Sequence, residues 1–384
     1  MPTLILGVSG SIAAYRAADL ARDLMRSGFD VRVCLTDGAQ RFVSTSLFEA
    51  LTGNPCLIDT FEEPEAGRMA HIDWARKADI LLIAPATANT INRIAYGFAD
   101  DMLTTLALAY DGPIVIAPAM YANGNTQEAL ERLATQGAFI VEPVEGDVAC
   151  GETGQGKLAA NLRIAEAALE IQVRSTSLSG KRVLITSGPT REPIDTVRFL
   201  SNRSTGKMGS ALARAALLMG AQVDVVTGPV TVPLPSKANV VRVETAAEML
   251  EAASPLAPKA DIVIGCAAVA DYRPEVEFEG KLRRSGEPFS LNLVPNPDII
   301  ATLAGLTKGI TIGFAAEPSS DASYAVEKIS RKGLNAIALN DVSRDDVGFG
   351  TDVNELRLVF ADGRDESSGK RTKLACALWL LGQL

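Results

Sequence analysis

The sequence predicts two doubly wound α/β domains, and three observations carry that prediction. The chain has 384 residues, more than one domain of roughly 100–200 residues usually holds. Short β-rich runs alternate with stretches of helical spacing, as in parallel strands joined by helical crossovers. The alternation breaks at a small polar segment, residues 174–180 (RSTSLSG), and then begins again.

In the first half the strand-like runs are residues 4–8, 31–35, 80–84, 114–117 and 139–141. Ala- and Leu-rich helical stretches at 12–25 and 126–135 lie between them, and 162–172 closes the half. After the break, strand-like runs recur at 182–186, 223–227, 261–266, 310–314, 336–339 and 356–360, with helices expected at 207–219, 246–253, 323–331 and 373–381. Residues 271–294, rich in Gly, Pro and alternating charge, read as an excursion over the ligand face. The domains are therefore expected at 1–175 and 181–384. Ligands of such sheets sit outside the carboxyl ends of the strands.

Composition excludes several function classes. Apolar residues make up 47% and charged residues 22%, too apolar a mix for a disordered chain. Residues 1–174 hold 13 Lys/Arg against 22 Asp/Glu, and the remainder holds 24 of each, so the whole net charge of −9 belongs to the first half. A nucleic-acid partner calls for a basic surface, and neither half has one. No apolar run approaches the length that spans a bilayer, and the apolar start lacks a basic leader, so no membrane partner is expected. Five scattered cysteines without a CxxC pair suggest no zinc site and a reducing, cytoplasmic location. His71 is the single histidine, which excludes chemistry needing several histidines in one chain.

GVSGSIAAY (residues 7–15) follows the first strand and opens the first helix. Glycines there let the backbone approach an anion that free N–H groups and the helix dipole attract. Ser9, Gly10, Ser11 and Ile12 belong to this turn. Thr36 ends the second strand, and Ala84, Thr87 and Asn89 follow the third in APATAN. Three such turns at adjacent strand ends suit a flat phosphorylated cofactor such as flavin mononucleotide. His71, in AHID, can exchange protons near neutral pH. Cys150 lies in a Gly-rich loop, ACGETGQGKL (149–158), where a thiol could act as acid or base on a trapped substrate.

Together GVSGSIAAY, AHID, APATANTI and ACGETGQGKL resemble the flavin-dependent cysteine decarboxylases, and within them the phosphopantothenoylcysteine decarboxylase half of a bifunctional bacterial coenzyme A enzyme. The resemblance implies a flavodoxin-like flavoprotein domain with FMN as cofactor, His71 as catalytic histidine and Cys150 as proton donor. It also implies oxidation of the substrate's thiol end, loss of CO2 and reduction to an enethiol. The chain departs from the family after Met120: the family's Pro-Ala-Met-Asn reads Pro118-Ala-Met-Tyr121 here, a few residues including that Asn are missing, and Asn123 and Asn125 are out of register.

In the second half, SGPTREPID (187–195) and SNRSTGKMG (201–209) bring Arg191, Arg198, Arg203 and Lys207 to the first strand-to-helix crossing, a setting for anions. Gly206-Lys207 lacks the flanking residues of a P-loop. AAVADYR (267–273), Lys281, NPDI (296–299), Phe314, Lys328, Lys332 and Asn340 follow at strand ends and loops. This series resembles the phosphopantothenate–cysteine ligase half of the same bifunctional enzyme, a Rossmann-like ligase domain. The resemblance implies that CTP activates 4′-phosphopantothenate as an acyl-cytidylate, which cysteine then opens with release of CMP.

By position, CTP would be bound by Gly265, Cys266, Ala267, Asp271, Lys281, Pro297, Asp298, Ile299, Ile300, Phe314, Lys328 and Lys332. Asn202 would contact the acyl-cytidylate, Lys281 would counter phosphate charge, Mg2+ would serve as metal cofactor, and Asp271 is its one candidate ligand. The partners are small-molecule substrates, and the resemblance implies a homo-oligomer. Two alternatives stand beside this reading: an active ligase fused to a decarboxylation-deficient flavin scaffold, and a nicotinamide-dependent oxidoreductase, which the missing G-x-G-x-x-G disfavours.

Overall fold

The computed structural model describes the chain except residues 63–66, 121–123, 148–152, 174–176, 284–285, 287–288, 318–322, 342, 344–346 and 349. It divides into two compact units, Met1–Gln172 and Val173–Leu384.

In the first unit the strands are β1 (Thr3–Val8), β2 (Asp30–Leu35), β3 (Cys56–Leu57), β4 (Ile80–Ala86), β5 (Ile114–Pro118) and β6 (Phe139–Ile140). They form one parallel sheet in the order β3-β2-β1-β4-β5-β6. Without the two-residue edge strand β3, the winding is the 2-1-3-4-5 order of a flavodoxin-like sheet. β4 is buried along its whole length, and its run ILLIAPA is apolar throughout, as a central parallel strand covered on both faces requires. The helices are α1 (Ala17–Arg26), α2 (Asp37–Gln40), α3 (Thr45–Thr52), α4 (Ala70–Lys77), α5 (Ala88–Ala95), α6 (Met102–Ala109), α7 (Gly124–Thr135) and α8 (Asn161–Gln172). A hairpin of β7 (Val144–Asp147) and β8 (Thr153–Lys157) precedes α8.

The helix expected over 12–25 is two elements, a 3-10 turn at Ile12–Arg16 and then α1. Ser11 explains the tighter start: its hydroxyl accepts from the Ala13 amide at 3.2 Å and so closes a short first turn. α5 and α6 fall within stretches assigned no helix from the sequence. Thr87 caps α5, and Asp101 with Thr104 forms a capping box on α6, so local end signals define these short helices.

The second unit repeats the winding. Its strands are β9 (Arg182–Ser187), β10 (Arg191–Pro193), β11 (Phe199–Ser201), β12 (Gln222–Thr227), β13 (Asn239–Arg242), β14 (Ile262–Gly265), β15 (Tyr272–Pro274), β16 (Leu293–Pro295), β17 (Ile310–Glu317), β18 (Ala336–Asp341), β19 (Val353–Asn354), β20 (Leu356–Phe360), β21 (Asp365–Ser367) and β22 (Arg371–Thr372). The main sheet runs β13-β12-β9-β14-β17-β18-β20-β21. Its first six strands are parallel in the Rossmann order 3-2-1-4-5-6, and β20 and β21 add antiparallel at the edge.

The helices are α9 (Lys207–Leu218), α10 (Ala246–Ala253), α11 (Ile299–Leu306), α12 (Ser323–Lys332) and α13 (Lys373–Gly382), and α13 packs against α9. The excursion expected over 271–294 is tied at its base by the antiparallel pair β15–β16. Among the described residues no helix is long and apolar enough to cross a membrane.

Candidate functional sites

In Met1–Gln172 the strand ends β2, β1 and β4 lie side by side, and each continues into a hydroxyl-bearing turn. Ser9 is fully buried. Its hydroxyl donates to the Pro85 carbonyl at 2.7 Å and accepts from the Thr87 amide at 2.8 Å, which stitches the end of β1 to the turn after β4. Ser11, Thr36 and Thr87 each cap the helical turn that follows. A Cβ on Gly10 would stand 2.8 Å from the backbone of Gly38, so the turns after β1 and β2 touch backbone to backbone. Ala84 lies buried within β4, whereas Ile12 and Asn89 are exposed.

Three neighbouring helix starts with aligned N–H groups, and a switch point between β1 and β4, are chemistry suited to the phosphate of a flat cofactor. The residues present fit a flavin phosphate on that count.

His71 is in the first turn of α4, and its Nδ1 is buried with no hydrogen-bond partner among the described residues. Cys150 lies outside the described residues, as do Tyr121 and Asn123; Asn125 is exposed on α7. The base of the hairpin that carries Cys150 is anchored. Arg16 donates to the carbonyls of Leu158 at 2.9 Å and Ala159 at 3.0 Å, and Asn161 donates back to the Arg16 carbonyl at 3.0 Å.

In Val173–Leu384 a cavity of about 540 Å³ opens at the carboxyl ends of the sheet. Gly265, Cys266, Ala267, Asp271, Pro297, Asp298, Ile299, Ile300, Phe314, Lys328 and Lys332 all line it, as does Asn202. Gly265 is required by packing, because a Cβ there would stand 2.7 Å from the Ile300 side chain. Asp298 caps α11 by accepting from the Ala301 amide, and its second oxygen pairs with Lys332 at 2.9 Å. Asn202 donates to the carbonyls of Ala268 and Val269 at 2.9 and 3.1 Å, and so holds the segment after β14 open. Asn340 also lines the cavity, and its Oδ1 is buried without a hydrogen-bond partner among the described residues.

Some expectations separate here. Of the four cations in the second-half motifs, only Lys207 lines the cavity. Arg191 stacks over the Phe199 ring and pairs with Glu244, and Arg198 pairs with the buried Asp195. Lys281 is exposed and is not among the residues lining the cavity. Its neighbours are held elsewhere, since the Leu282 amide donates to Asp195 and Arg198 donates to the Leu282 carbonyl. These bonds, led by the Arg198 guanidinium, hold the Asp195 carboxyl far below the usual carboxylate range.

Among the described residues no group of three His, Cys, Asp or Glu side chains could hold a metal. Asp271, the carboxylate assigned to Mg2+ from the sequence, lines the cavity together with Asp298.

Two cavity residues escaped sequence reading. Asn354 follows a segment without strong pattern. Lys373 begins α13 and is 7% exposed. Only its place at a helix start, behind the capping Thr372, marks it in the sequence. Burial also pushes the Cys266 thiol up to about 12, so it is a neutral wall group rather than a nucleophile.

A family model described as Flavoprotein matches residues 1–171, and one described as DNA/pantothenate metabolism flavoprotein C-terminal domain matches residues 178–384. The chain is 40% identical to the coenzyme A biosynthesis bifunctional protein CoaBC of Vibrio vulnificus strain YJ016, over 99% of this chain and 96% of that protein. It is 41% identical to the protein of the same description from Bacillus subtilis strain 168, with the same coverage. A crystal structure of the C-terminal domain of a CoaBC protein is 38% identical with a TM-score of 0.47, covering 54% of this chain and 96% of that one.

Proposed function

The chain belongs to the family of coenzyme A biosynthesis bifunctional proteins, and on that premise we propose that it makes 4′-phosphopantetheine in two steps. Val173–Leu384 joins 4′-phosphopantothenate to cysteine, and Met1–Gln172 decarboxylates the product. The observation that carries this reading is the identity of about 40% to proteins of that description over nearly the whole chain, both units included.

In the ligase unit, CTP is proposed to lie over Gly265–Ala267 with its base against Phe314 and its phosphates toward Lys328 and Lys332. The cavity lining supports that placement. Charge neutralisation by these lysines and by Mg2+ favours transfer of the cytidylyl group to the substrate carboxylate with loss of pyrophosphate. Asn202 is held to the segment after β14 and would orient the acyl-cytidylate. Lys281 would have to reach this site from the ribbon that Asp195 and Arg198 tie down.

In the decarboxylase unit, Ser9, Gly10, Ser11, Thr36 and Thr87 would hold FMN by its phosphate through backbone N–H groups and hydroxyls. The bound flavin supplies the two-electron oxidation and reduction that let the carboxylate leave. His71 would hold or move a proton at Nδ1, the atom that lacks a partner, and Cys150 would return one. An active ligase on a decarboxylation-deficient scaffold is the second reading, favoured by the shortened segment after Met120.

Mass spectrometry of the product formed from 4′-phosphopantothenate, cysteine, CTP and Mg2+ separates the two. A product lighter by CO2 than 4′-phosphopantothenoylcysteine is expected. A stall at the undecarboxylated compound would leave the ligase alone, and no coupled product would end the proposal.

A further inference from the structure

Lys373 is a buried cation on the wall of a cavity that must accept an anionic nucleotide, and its surroundings differ from those of its neighbours. Lys207 and Lys332 each pair with a carboxylate, Asp352 at 2.6 Å and Asp298 at 2.9 Å. The bonding partners of Lys373 are carbonyls instead: its Nζ donates to Gly348 at 2.9 Å and to Val353 at 3.2 Å. A neutral primary amine has two N–H bonds and one lone pair. The two carbonyls engage both N–H bonds, so the neutral form keeps its hydrogen bonds complete and has its lone pair to spare.

Four charged or titratable groups surround this amine. Lys207 comes from α9, Asp352 from the segment before β19, Cys266 from the end of β14, and Cys376 from α13 itself. Burial, and next the nearby Lys207 ammonium, pull the Lys373 pKa from 10.5 down to about 8. Cys376, Asp352 and Cys266 act in the opposite direction and are outweighed. Both thiols are pushed upward by burial and stay uncharged.

We propose that Lys373 is the base that accepts a proton from the cysteine ammonium in the amide-forming step, a role that rests on the ligase reading above. Of the two protons the ammonium gives up overall, the first passes to Nζ and frees the amine. The amine nitrogen then bonds to the acyl carbon of the acyl-cytidylate. The bond from that carbon to the phosphate oxygen breaks, CMP leaves with the electron pair, and the second proton passes to water. No oxidant or reductant enters. A base whose pKa lies near the working pH suits such a transfer.

The test uses the full-length protein with Lys373→Arg, which keeps the charge, and Lys373→Met, which keeps the stem. Pyrophosphate release from CTP and 4′-phosphopantothenate is measured before cysteine is added, and amide formation afterwards. Amide formation should fall about 10²-fold or more in both variants, with pyrophosphate release affected far less. In the parent, the amide-forming rate should climb as pH rises through about 8, where Nζ loses its proton; in Lys373→Arg that limb should vanish. Hydroxylamine, whose nitrogen is already unprotonated at neutral pH, should open the acyl-cytidylate in both variants at close to the parental rate.

Parental amide formation in Lys373→Arg with the limb unmoved would overturn the proposal. Equal loss of pyrophosphate release, amide formation and hydroxylamine capture would also overturn it, making Lys373 a pin for residues 348–353 and no more. A parent that releases no pyrophosphate at all would remove the ligase reading itself, and this proposal with it.

Discussion

The strand-end face of Met1–Gln172 carries Ser9, Ser11, Thr36 and Thr87, whose hydroxyls stitch strand ends and cap helix starts, whereas the cavity of Val173–Leu384 is lined by Lys207, Lys328, Lys332 and Lys373. Both lie where a parallel sheet reverses its winding between its first strand and the next one out. The same topology therefore supplies the hollow twice, and the side chains at its edge decide what charge it accepts. Backbone N–H groups and helix dipoles suffice for one phosphate that stays bound. A site that must release pyrophosphate needs full charges to stabilise what leaves. The charge balance along the chain agrees, with the net −9 confined to residues 1–174 and 24 Lys/Arg against 24 Asp/Glu thereafter.

The largest effect expected from this contrast is a clean separation of the two reactions. His71→Asn removes the group with the unpartnered Nδ1 and should slow CO2 release by about 10²–10⁴-fold, the range for loss of a positioned acid or base. Ligation, followed as CMP formation, should stay at the parental rate. Parental CO2 release would mark the histidine as structural.

A smaller effect is expected at the charged rim. Lys332 pairs with the Asp298 carboxylate that caps α11, and Lys332→Ala removes a charged partner worth about 1.5–3 kcal/mol in such bonds. The KM for CTP should rise by about ten- to a hundredfold, with flavin absorbance unchanged. An unaltered KM would place the nucleotide elsewhere in the cavity.

How much of this was legible in the sequence differs between the units for physical reasons. The central strands and the doubly wound class follow from short apolar runs between helices, because strands such as β4 are apolar along their length, whereas the edge strands β3 and β13 were not read from the sequence. The short helices α5 and α6 were missed because their evidence lies in caps, Thr87 and Asp101, rather than in long periodicity. Most residues that the resemblance assigns to CTP line one cavity, because Gly265–Ala267 and Pro297–Ile300 lie beside the end of β14 and the start of α11, while Lys328 and Lys332 come from the middle and end of α12. Lys281 was placed with that set by the resemblance, and Arg191 and Arg198 were read as a setting for anions, yet Glu244, Asp195 and the Phe199 ring hold them or their neighbours elsewhere. Lys373 went unseen because a lysine at a helix start reads as a surface charge until α13 is packed on α9.

On the uncharged rim the comparable change is Ser9→Ala. It leaves the Pro85 carbonyl without its hydroxyl donor and the Thr87 amide without its acceptor in a fully buried place, at a cost of about 1–3 kcal/mol. Denaturant unfolding of the flavin-loaded protein should show that loss in the transition that releases flavin, with weaker flavin retention. Because no full charge is removed, CTP turnover should not change. A parental midpoint would mean that the two strand ends are held by packing alone.

The smallest effect separates the rims without any mutation. Screening shortens from about 10 Å at 0.1 M salt to about 3 Å at 1 M. Lys328 and Lys332 are partly exposed, so their attraction for a polyanionic nucleotide is screened, and the KM for CTP should rise a few-fold across that range. Lys373, nearly enclosed, is screened least, so the rise should stop well short of what Lys332→Ala produces. On the proposed reading, flavin is held through backbone N–H groups whose partial charges act only at contact, so its dissociation constant should barely move over the same titration. Equal salt slopes for the two ligands would mean that full charges also reach the flavin phosphate. The contrast between a dipolar rim and a cationic one would then be wrong.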